Sequence, residues 1–273
     1  MILYLLFNFI SLGLSIYFSY WIASIYGWYY LLLILPMTVV GFILLWGLWA
    51  IFVVAWSQFL DKKKPIGPVN YGYYWIMQQT DWLVLHTANI FWKVYGKENL
   101  PKKTNYLLIN NHISDFDQMV LLANHTYPPL VCVTKPENLD FPIGGHYIHH
   151  AGFIPINREN PVEGAKAIRK AANVILEKKG NVCISPEGTR NKTEELLLPF
   201  HPGSFKIAVW AKCPIVITCV KGTKAISGRA PWRRSKVEIH YLKTLYYEDY
   251  KDMKTPEIAE LAESLIKEEL LKK

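Results

Sequence analysis

The sequence predicts an α/β domain, a mixed and largely parallel sheet flanked by helices, preceded by an N-terminal transmembrane helical hairpin. Three observations carry this expectation. Residues 1–60 contain no Asp, Glu, Lys, Arg or His. Every charge, and so the whole net charge of +8, falls in residues 61–273. From residue 101 onward, short apolar runs alternate with helical segments, the pattern of a sheet covered on both faces.

The uncharged stretch is long enough for two spanning helices, each of which needs about 20 apolar residues. Residues 1–25 and 31–59 are the two spans. Tyr26-Gly27-Trp28-Tyr29-Tyr30 is the turn between them, with aromatic rings suited to headgroup depth. Pro36 falls in the early turns of the second span, where it kinks the helix or marks a later start. A cleaved signal peptide fits poorly, because the basic leader is missing and the apolar stretch is too long. Asp61-Lys62-Lys63-Lys64 follows directly, and a basic cluster there favours the cytoplasmic side. Two spans place both termini and the basic domain in the cytoplasm, on an integral protein of the cell membrane.

Pro65-Ile66-Gly67-Pro68 ends the anchor. Residues 61–100 read as a helical connector. Its aromatic runs, Tyr71-Gly72-Tyr73-Tyr74-Trp75 and Trp82, suit a helix lying in the membrane interface, and equally suit a core helix of the following domain.

The α/β domain is expected over residues 101–273. Its strands are residues 106–110, 130–134, 182–185, 215–220 and 236–241, and its helices residues 116–123, 161–179, 203–212 and 256–271. The helix at 161 is the best marked. Asn160 caps it, Pro161 is its first residue, Glu163 completes a capping-box pattern and Gly180 follows it. Cys132, Cys183, Cys213 and Cys219 form no Cys-x-x-Cys pair and read as reduced core residues, neither bridges nor metal ligands.

The candidate chemistry starts at Asn110-Asn111-His112-Ile113-Ser114-Asp115-Phe116-Asp117. A strand that ends in a polar turn and enters a helix presents side chains at the sheet edge. Histidine is a base near neutral pH, and a carboxylate on its second ring nitrogen sets the tautomer. With Ser114 as N-cap and Asp117 three residues later, His112 in the turn converges on Asp117 in the first helical turn. Read alone, the same stretch also fits a surface histidine and a capping aspartate. Gly152-Phe153-Ile154-Pro155-Ile156-Asn157-Arg158, Ser185-Pro186-Glu187-Gly188-Thr189-Arg190 and His201-Pro202-Gly203-Ser204 interrupt the later pattern. Arg158 and Arg190 sit where strands give way to loops, and a guanidinium matches a phosphate. Gly203 and Ser204 at a helix start offer backbone donors.

These residues together resemble the membrane glycerolipid acyltransferases. Asn111-His112-x4-Asp117 looks like the first block of that family and Gly152 to Arg158 like the second. Ile184-Ser185-Pro186-Glu187-Gly188-Thr189-Arg190 looks like the third, and Pro214-Ile215-Val216-Ile217 like a weakened fourth. The resemblance covers residues 94–241, and the bacterial type, which makes phosphatidic acid from 1-acyl-glycerol-3-phosphate, is the branch it points to. Two departures stand out: Ser185 replaces an aromatic residue and Ile217 a second proline, both expected near the acyl or headgroup pocket.

The resemblance implies that His112 is the general base and Asp117 its orienting partner. It implies that Glu187, Gly188, Thr189, Arg190, Arg158 and Lys135 hold the glycerol phosphate. It also implies direct attack on the thioester of acyl-CoA or acyl-carrier protein, a co-substrate, with no cofactor and no metal. Glycerol 3-phosphate, another lysophospholipid or an ornithine lipid are alternative acceptors. A non-catalytic membrane protein that binds anionic lipid is the reading from another class, and the intact His112, Asp117, Glu187 and Arg190 argue against it.

Other motifs point elsewhere or nowhere. No Gly-x-Ser-x-Gly elbow is present, and Gly222-Thr223-Lys224 lacks the upstream glycine of a phosphate loop. His146, His149 and His150 have no carboxylate or cysteine spaced beside them for zinc and read as a polar loop near the substrate entrance. The basic, aromatic segment Ala230-Pro231-Trp232-Arg233-Arg234-Ser235-Lys236 favours anionic lipid over nucleic acid as a partner for an anchored protein.

Overall fold

The computed structural model describes residues 1–61, 67, 69–125 and 127–272. Lys62-Lys63-Lys64, and Pro65, Ile66 and Pro68 of the breaker, lie outside the described residues. The chain divides into two compact units, Met1–Asp61 and Lys62–Lys273.

The first unit is a helical hairpin of α1 (Ile2–Tyr26) and α2 (Ile34–Ser57). Between them Gly27 turns the chain at φ 123°, and a 3-10 segment, Trp28–Leu33, leads into α2. Pro36 thus falls in the first turn of α2, where its missing N–H breaks no helical bond. The helical spans Ile2–Tyr26 and Trp28–Ser57 have mean hydropathies of 1.8 and 2.5, and each is long and apolar enough to cross a bilayer. Large side chains such as Phe9, Tyr20, Leu32, Leu35 and Phe59 face outward, unlike those of a protein core. Ser11, Ser15 and Ser19 form a buried stripe along α1. Ser11 lies so close to Gly41 that a Cβ there would sit 3.0 Å from its own, the close helix approach that small residues permit. The stripe serines Ser11 and Ser15 bond back to Phe7 and Ser11 carbonyls at 2.7 and 2.6 Å, so no hydroxyl of this pair is left unmet in an apolar setting.

The second unit begins earlier than the sequence pattern implies. Helix α3 (Tyr71–Thr87) and strand β1 (Ile90–Tyr95) belong to it. The expected connector is therefore the first layer of the α/β domain, and its aromatic tips explain why. Tyr74 Oη donates to the His125 carbonyl (2.5 Å), Trp82 Nε1 to the Ala123 carbonyl (2.8 Å) and Gln78 Nε2 to the Leu122 carbonyl (3.0 Å). These carbonyls belong to the last turn of a later helix and to a residue just past it, so α3 is bonded side chain to backbone against that helix end. The remaining elements are β2 (Leu107–Asn110), α4 (Phe116–Ala123), β3 (Leu130–Thr134), α5 (Gly144–His150), β4 (Ile154–Pro155), α6 (Pro161–Leu176), β5 (Asn181–Ile184), α7 (Lys206–Ala211), β6 (Ile215–Lys221), β7 (Ser235–Leu245), α8 (Tyr247–Tyr250) and α9 (Thr255–Leu271).

The seven strands form one sheet in the order β1-β7-β6-β2-β5-β3-β4. All neighbours are parallel except β6 and β7. The expectation of a mixed, largely parallel sheet flanked by helices is borne out. The central strand β2 is buried along its whole length, as a parallel strand covered on both faces must be. Asn160 caps α6 by accepting from Val162 and Glu163 N–H, but the helix stops at Leu176, because Lys178 turns left-handed (φ 55°) ahead of Gly180. The segment expected as one helix from Gly203 is a 3-10 turn, Pro202–Phe205, followed by α7. The histidine cluster is not a loop: it is α5, with Tyr147 and His149 buried, and Gly145 packs where a Cβ would meet the Leu139 carbonyl at 2.2 Å. All four cysteines are free and buried, and burial pushes the Cys213 and Cys219 thiols up to about 12.

Just past the end of α4, His125 is buried, with Nδ1 on the Leu121 carbonyl (2.7 Å). A carbonyl accepts only, so Nδ1 carries a proton. Burial lowers its pKa to about 4, and the bond to Leu121 only partly opposes this. The unfolded chain takes up this proton near pH 6.5 and the folded one only near 4. Stability is therefore complete above about pH 6.5 and falls as the pH drops from there towards 4, by about 3 kcal/mol. Thermal melts across that window are expected to show this decline, and His125→Leu is expected to flatten it.

Candidate active site

Because β2, β3, β4, β5 and β6 run parallel, the loops after them all leave from one edge of the sheet. That edge collects His112 after β2, Lys135 after β3, Arg158 after β4, residues 185–190 after β5 and Thr223 after β6.

Asn111 locks the first of these loops. Its amide donates to the Val220 carbonyl (2.9 Å) and accepts from Val220 N–H (2.7 Å), so a side chain extends the β2–β6 ladder by one rung. His112 follows, with 21% of its side chain exposed. Its Nδ1 lies 3.0 Å from Asp117 Oδ2. Asp117 is fully buried and accepts four hydrogen bonds. Oδ2 takes His112 Nδ1, Ile113 N–H (2.8 Å) and Ser114 N–H (2.8 Å), and Oδ1 takes Thr223 Oγ1 (2.5 Å). The carboxylate places the histidine proton on Nδ1 and leaves the Nε2 lone pair for an incoming group. The expected capping pattern holds with one change. Asp117 reaches back to Ser114 N–H and Ser114 Oγ takes Phe116 N–H (3.3 Å), but the residue flanking α4 is Asp115.

Glu187 does not face the site. It is buried, and Oε1 accepts from His112 N–H (2.5 Å) while Oε2 accepts from Leu198 N–H (2.9 Å). Burial raises its pKa, and the two N–H donors pull it back. Glu187 thus ties the histidine turn to the loop after β5, and Asn191 N–H adds a second tie to the His112 carbonyl (2.7 Å). Next to it Gly188 adopts φ +74°, and a Cβ there would meet the His201 ring at 2.7 Å, so both conformation and space require glycine. Ser185, where an aromatic was expected, sits in a polar layer under the turn. Its hydroxyl accepts from Gln118 Nε2 (3.0 Å) and donates to Asn110 Oδ1 (3.3 Å). Ile217 is buried in β6 opposite Ile109, away from this edge.

The predicted phosphate group divides in the structure. Arg158 reaches Gly188, its Nη1 being 3.8 Å from where a Cβ would stand. It borders a cleft of about 310 Å³ whose lining includes His201, Ser204 and Lys206 together with Ile156, Ile168, Ile184 and Trp210. Gly188 lines the same cleft. Arg190 instead pairs with the exposed Asp115 carboxylate. Thr189 and Lys135 are exposed, and among the described residues no ion pair holds the Lys135 ammonium. Among the described residues no group of three His, Cys, Asp or Glu side chains converges as a metal site would.

Thr223 and Asn111's bonds to β6 escape the sequence. Thr223 lies 106 residues after the carboxylate it serves, and only its place after an apolar strand and a left-handed Gly222 (φ 86°) hints at an edge position.

The His112–Asp117 pair thus stands at the same edge of the parallel sheet as the cleft lined by Arg158 and Lys206, and among the described residues no serine or cysteine is hydrogen-bonded to the His112 ring. Residues 92–221, just under half of the chain, match the family model described as Acyltransferase. It is 31% identical over 172 residues to the 1-acyl-sn-glycerol-3-phosphate acyltransferase of Saccharomyces cerevisiae, covering 62% of this chain and 56% of that protein. It is 34% identical over 119 residues to the protein of the same name from Escherichia coli strain K12, covering 44% and 48%. The chain thus spans about half the length of the curated relatives it matches. The crystal structure of the 1-acyl-sn-glycerophosphate acyltransferase from Thermotoga maritima shares the fold, with a TM-score of 0.60, 96% of each chain covered and 19% identity.

Glu187→Ala is expected to strand the His112 and Leu198 N–H groups and to destabilise the ligand-free protein by about 1–3 kcal/mol for each. Thermal melting without substrate checks this. A Glu187 that served only the phosphate would leave that melting temperature unchanged.

Proposed function

We propose that the protein transfers a fatty acyl group from acyl-CoA or acyl-carrier protein to the free hydroxyl of 1-acyl-glycerol-3-phosphate, giving phosphatidic acid for phospholipid synthesis at the membrane. The observation that carries this is the His112–Asp117 pair, oriented at 3.0 Å with no bond to Nε2 among the described residues, on the same sheet edge as the Arg158 cleft. The relatives' names as 1-acyl-sn-glycerol-3-phosphate acyltransferases support the choice of acceptor.

In this reading His112 Nε2 takes the proton of the acceptor hydroxyl as its oxygen attacks the thioester carbonyl. Asp117 holds the imidazolium that forms. The tetrahedral adduct then expels the thiolate, which recovers the proton from His112. No acyl-enzyme forms, and the base acts on a hydroxyl that binding has already positioned. Arg158, with the Gly188 turn, holds the phosphate. Arg190 joins it by leaving Asp115, an exposed pairing of the kind that contributes little. Thr189 and Lys135 complete the rim. Glu187 acts one step back, by holding the backbone of His112. Both acceptor and product partition into the bilayer, so the hairpin keeps the domain where they are, with its face on the cytoplasmic side.

His112→Ala is expected to lower kcat by about 10² to 10⁴-fold with unchanged circular dichroism. Arg158→Ala is expected to raise the KM for 1-acyl-glycerol-3-phosphate by about tenfold to a hundredfold, the range of a lost charge-assisted bond. Assays with a labelled acyl donor and a panel of acceptors decide both points. Equal turnover of a choline-headgroup lysolipid would sink the phosphate-monoester assignment, and undiminished transfer by His112→Ala would sink the mechanism.

A further inference from the structure

The segment between β6 and β7 is unused by this chemistry, and its composition is unlike the rest of the domain. Lys224, Arg229, Arg233, Arg234 and Lys236 are exposed, no Asp or Glu falls among residues 222–237, and among the described residues none of the five has a carboxylate partner. Trp232 stands in their midst with 90% of its surface exposed. Arg234 lies 4.2 Å over the ring of Phe91, itself 47% exposed on the first turn of β1.

The segment is built, not loose. Ile226 is fully buried beneath it, and its carbonyl accepts from Arg229 and Ala230 N–H (3.0 and 2.9 Å). The Arg229 carbonyl accepts from Arg233 N–H (2.8 Å), and Ser235 N–H ties the end to the Asn89 carbonyl (3.0 Å). A large indole is therefore held out in water, and burial of that ring against something outside the domain is what the arrangement provides.

Topology sets where it points. Strand β6 runs parallel to β2, so the segment leaves from the edge that carries His112, and antiparallel β7 returns from that same edge. Strand β1 pairs with β7 in parallel, which brings Phe91 there too. Thr223, at the start of the segment, is the group that donates to Asp117.

We propose that this segment is a second membrane contact, in which Trp232 and Phe91 enter the headgroup layer while the five cations meet anionic lipid, and that it sets the catalytic edge against the surface holding the acceptor. Indoles prefer headgroup depth, and each basic side chain near an anionic leaflet strengthens association by about fivefold. The proposal rests on the reading of α1 and α2 as membrane-embedded.

The test uses the full chain in lipid nanodiscs. Trp232→Cys is labelled with an environment-sensitive fluorophore, which the buried native cysteines leave selective. Quenching by iodide from water and by doxyl-labelled lipid from the bilayer is compared in phosphatidylcholine discs with and without phosphatidylglycerol. Anionic discs are expected to replace iodide quenching by lipid quenching. Adding Arg229→Glu, Arg233→Glu and Arg234→Glu, or raising the salt, is expected to return the label to water, with about a fivefold loss per residue reversed. Equal iodide access in both discs, or lipid quenching that survives charge reversal, overturns the proposal. So does shielding in neutral discs only when acyl-carrier protein or nucleic acid is added, which would make the partner an acidic macromolecule. None of these readouts needs turnover, so the proposal can fail while the acyl-transfer reading stands, and the reverse.

Discussion

A carboxylate with no access to water must be met by donors from the protein, and Asp117 is met by four. Two come from the turn that carries His112, one is the imidazole itself, and one is a hydroxyl from the far side of β6. This single charge therefore shapes the turn, fixes the ring tautomer and ties β2 to the segment after β6. An isolated buried charge is among the costliest features a fold can hold, and removing any donor leaves part of that cost unmet. Beneath the turn, the polar side chains of Asn110, Gln118 and Ser185 satisfy one another, and Asn110 Nδ2 also donates to the Asn111 carbonyl (2.6 Å).

A second buried carboxylate, Glu187, repeats the device on the other side of His112. It holds backbone where Asp117 holds backbone and side chain together. The two leave the imidazole no freedom except at Nε2. Beyond them the charge changes sign. Arg158, His201 and Lys206 border the cleft, Arg190 stands at the rim, and Trp232 with its flanking cations lies on the same edge of the sheet. The two buried acids are already satisfied by the protein, so what they leave at this edge is mainly the field of the cations.

Local signals in the chain determined a good deal. Absence of charge marked the hairpin, alternating apolar runs marked β2, β3, β5 and β6, and Asn160-Pro161 marked the start of α6. His112 and Asp117 were legible because their partnership spans one turn, and a turn's geometry is set by its own residues. The starts of helices were clearer than their ends, since a capping side chain is written in the sequence, whereas the left-handed Lys178 that closes α6 is not a residue type that advertises it.

What the tertiary structure alone decided involves residues far apart in the chain. Strand β1 is ordinary in composition, and only pairing with β7 makes it part of the sheet. The aromatic face of α3 suits a membrane interface as well as a core by composition, and it is the bonds of Tyr74, Gln78 and Trp82 to carbonyls at and just past the end of α4 that place it in the domain. Glu187 and Arg190 share one motif, yet the fold turns one inward to backbone amides and the other out to Asp115. Thr223 reaches Asp117 across 106 residues. Propensity and spacing act over a few residues, so the sequence by itself determined the hairpin, the sheet class and the pairing of His112 with Asp117. Which side chains satisfy those buried charges depends on which strands become neighbours, and chain order does not specify that.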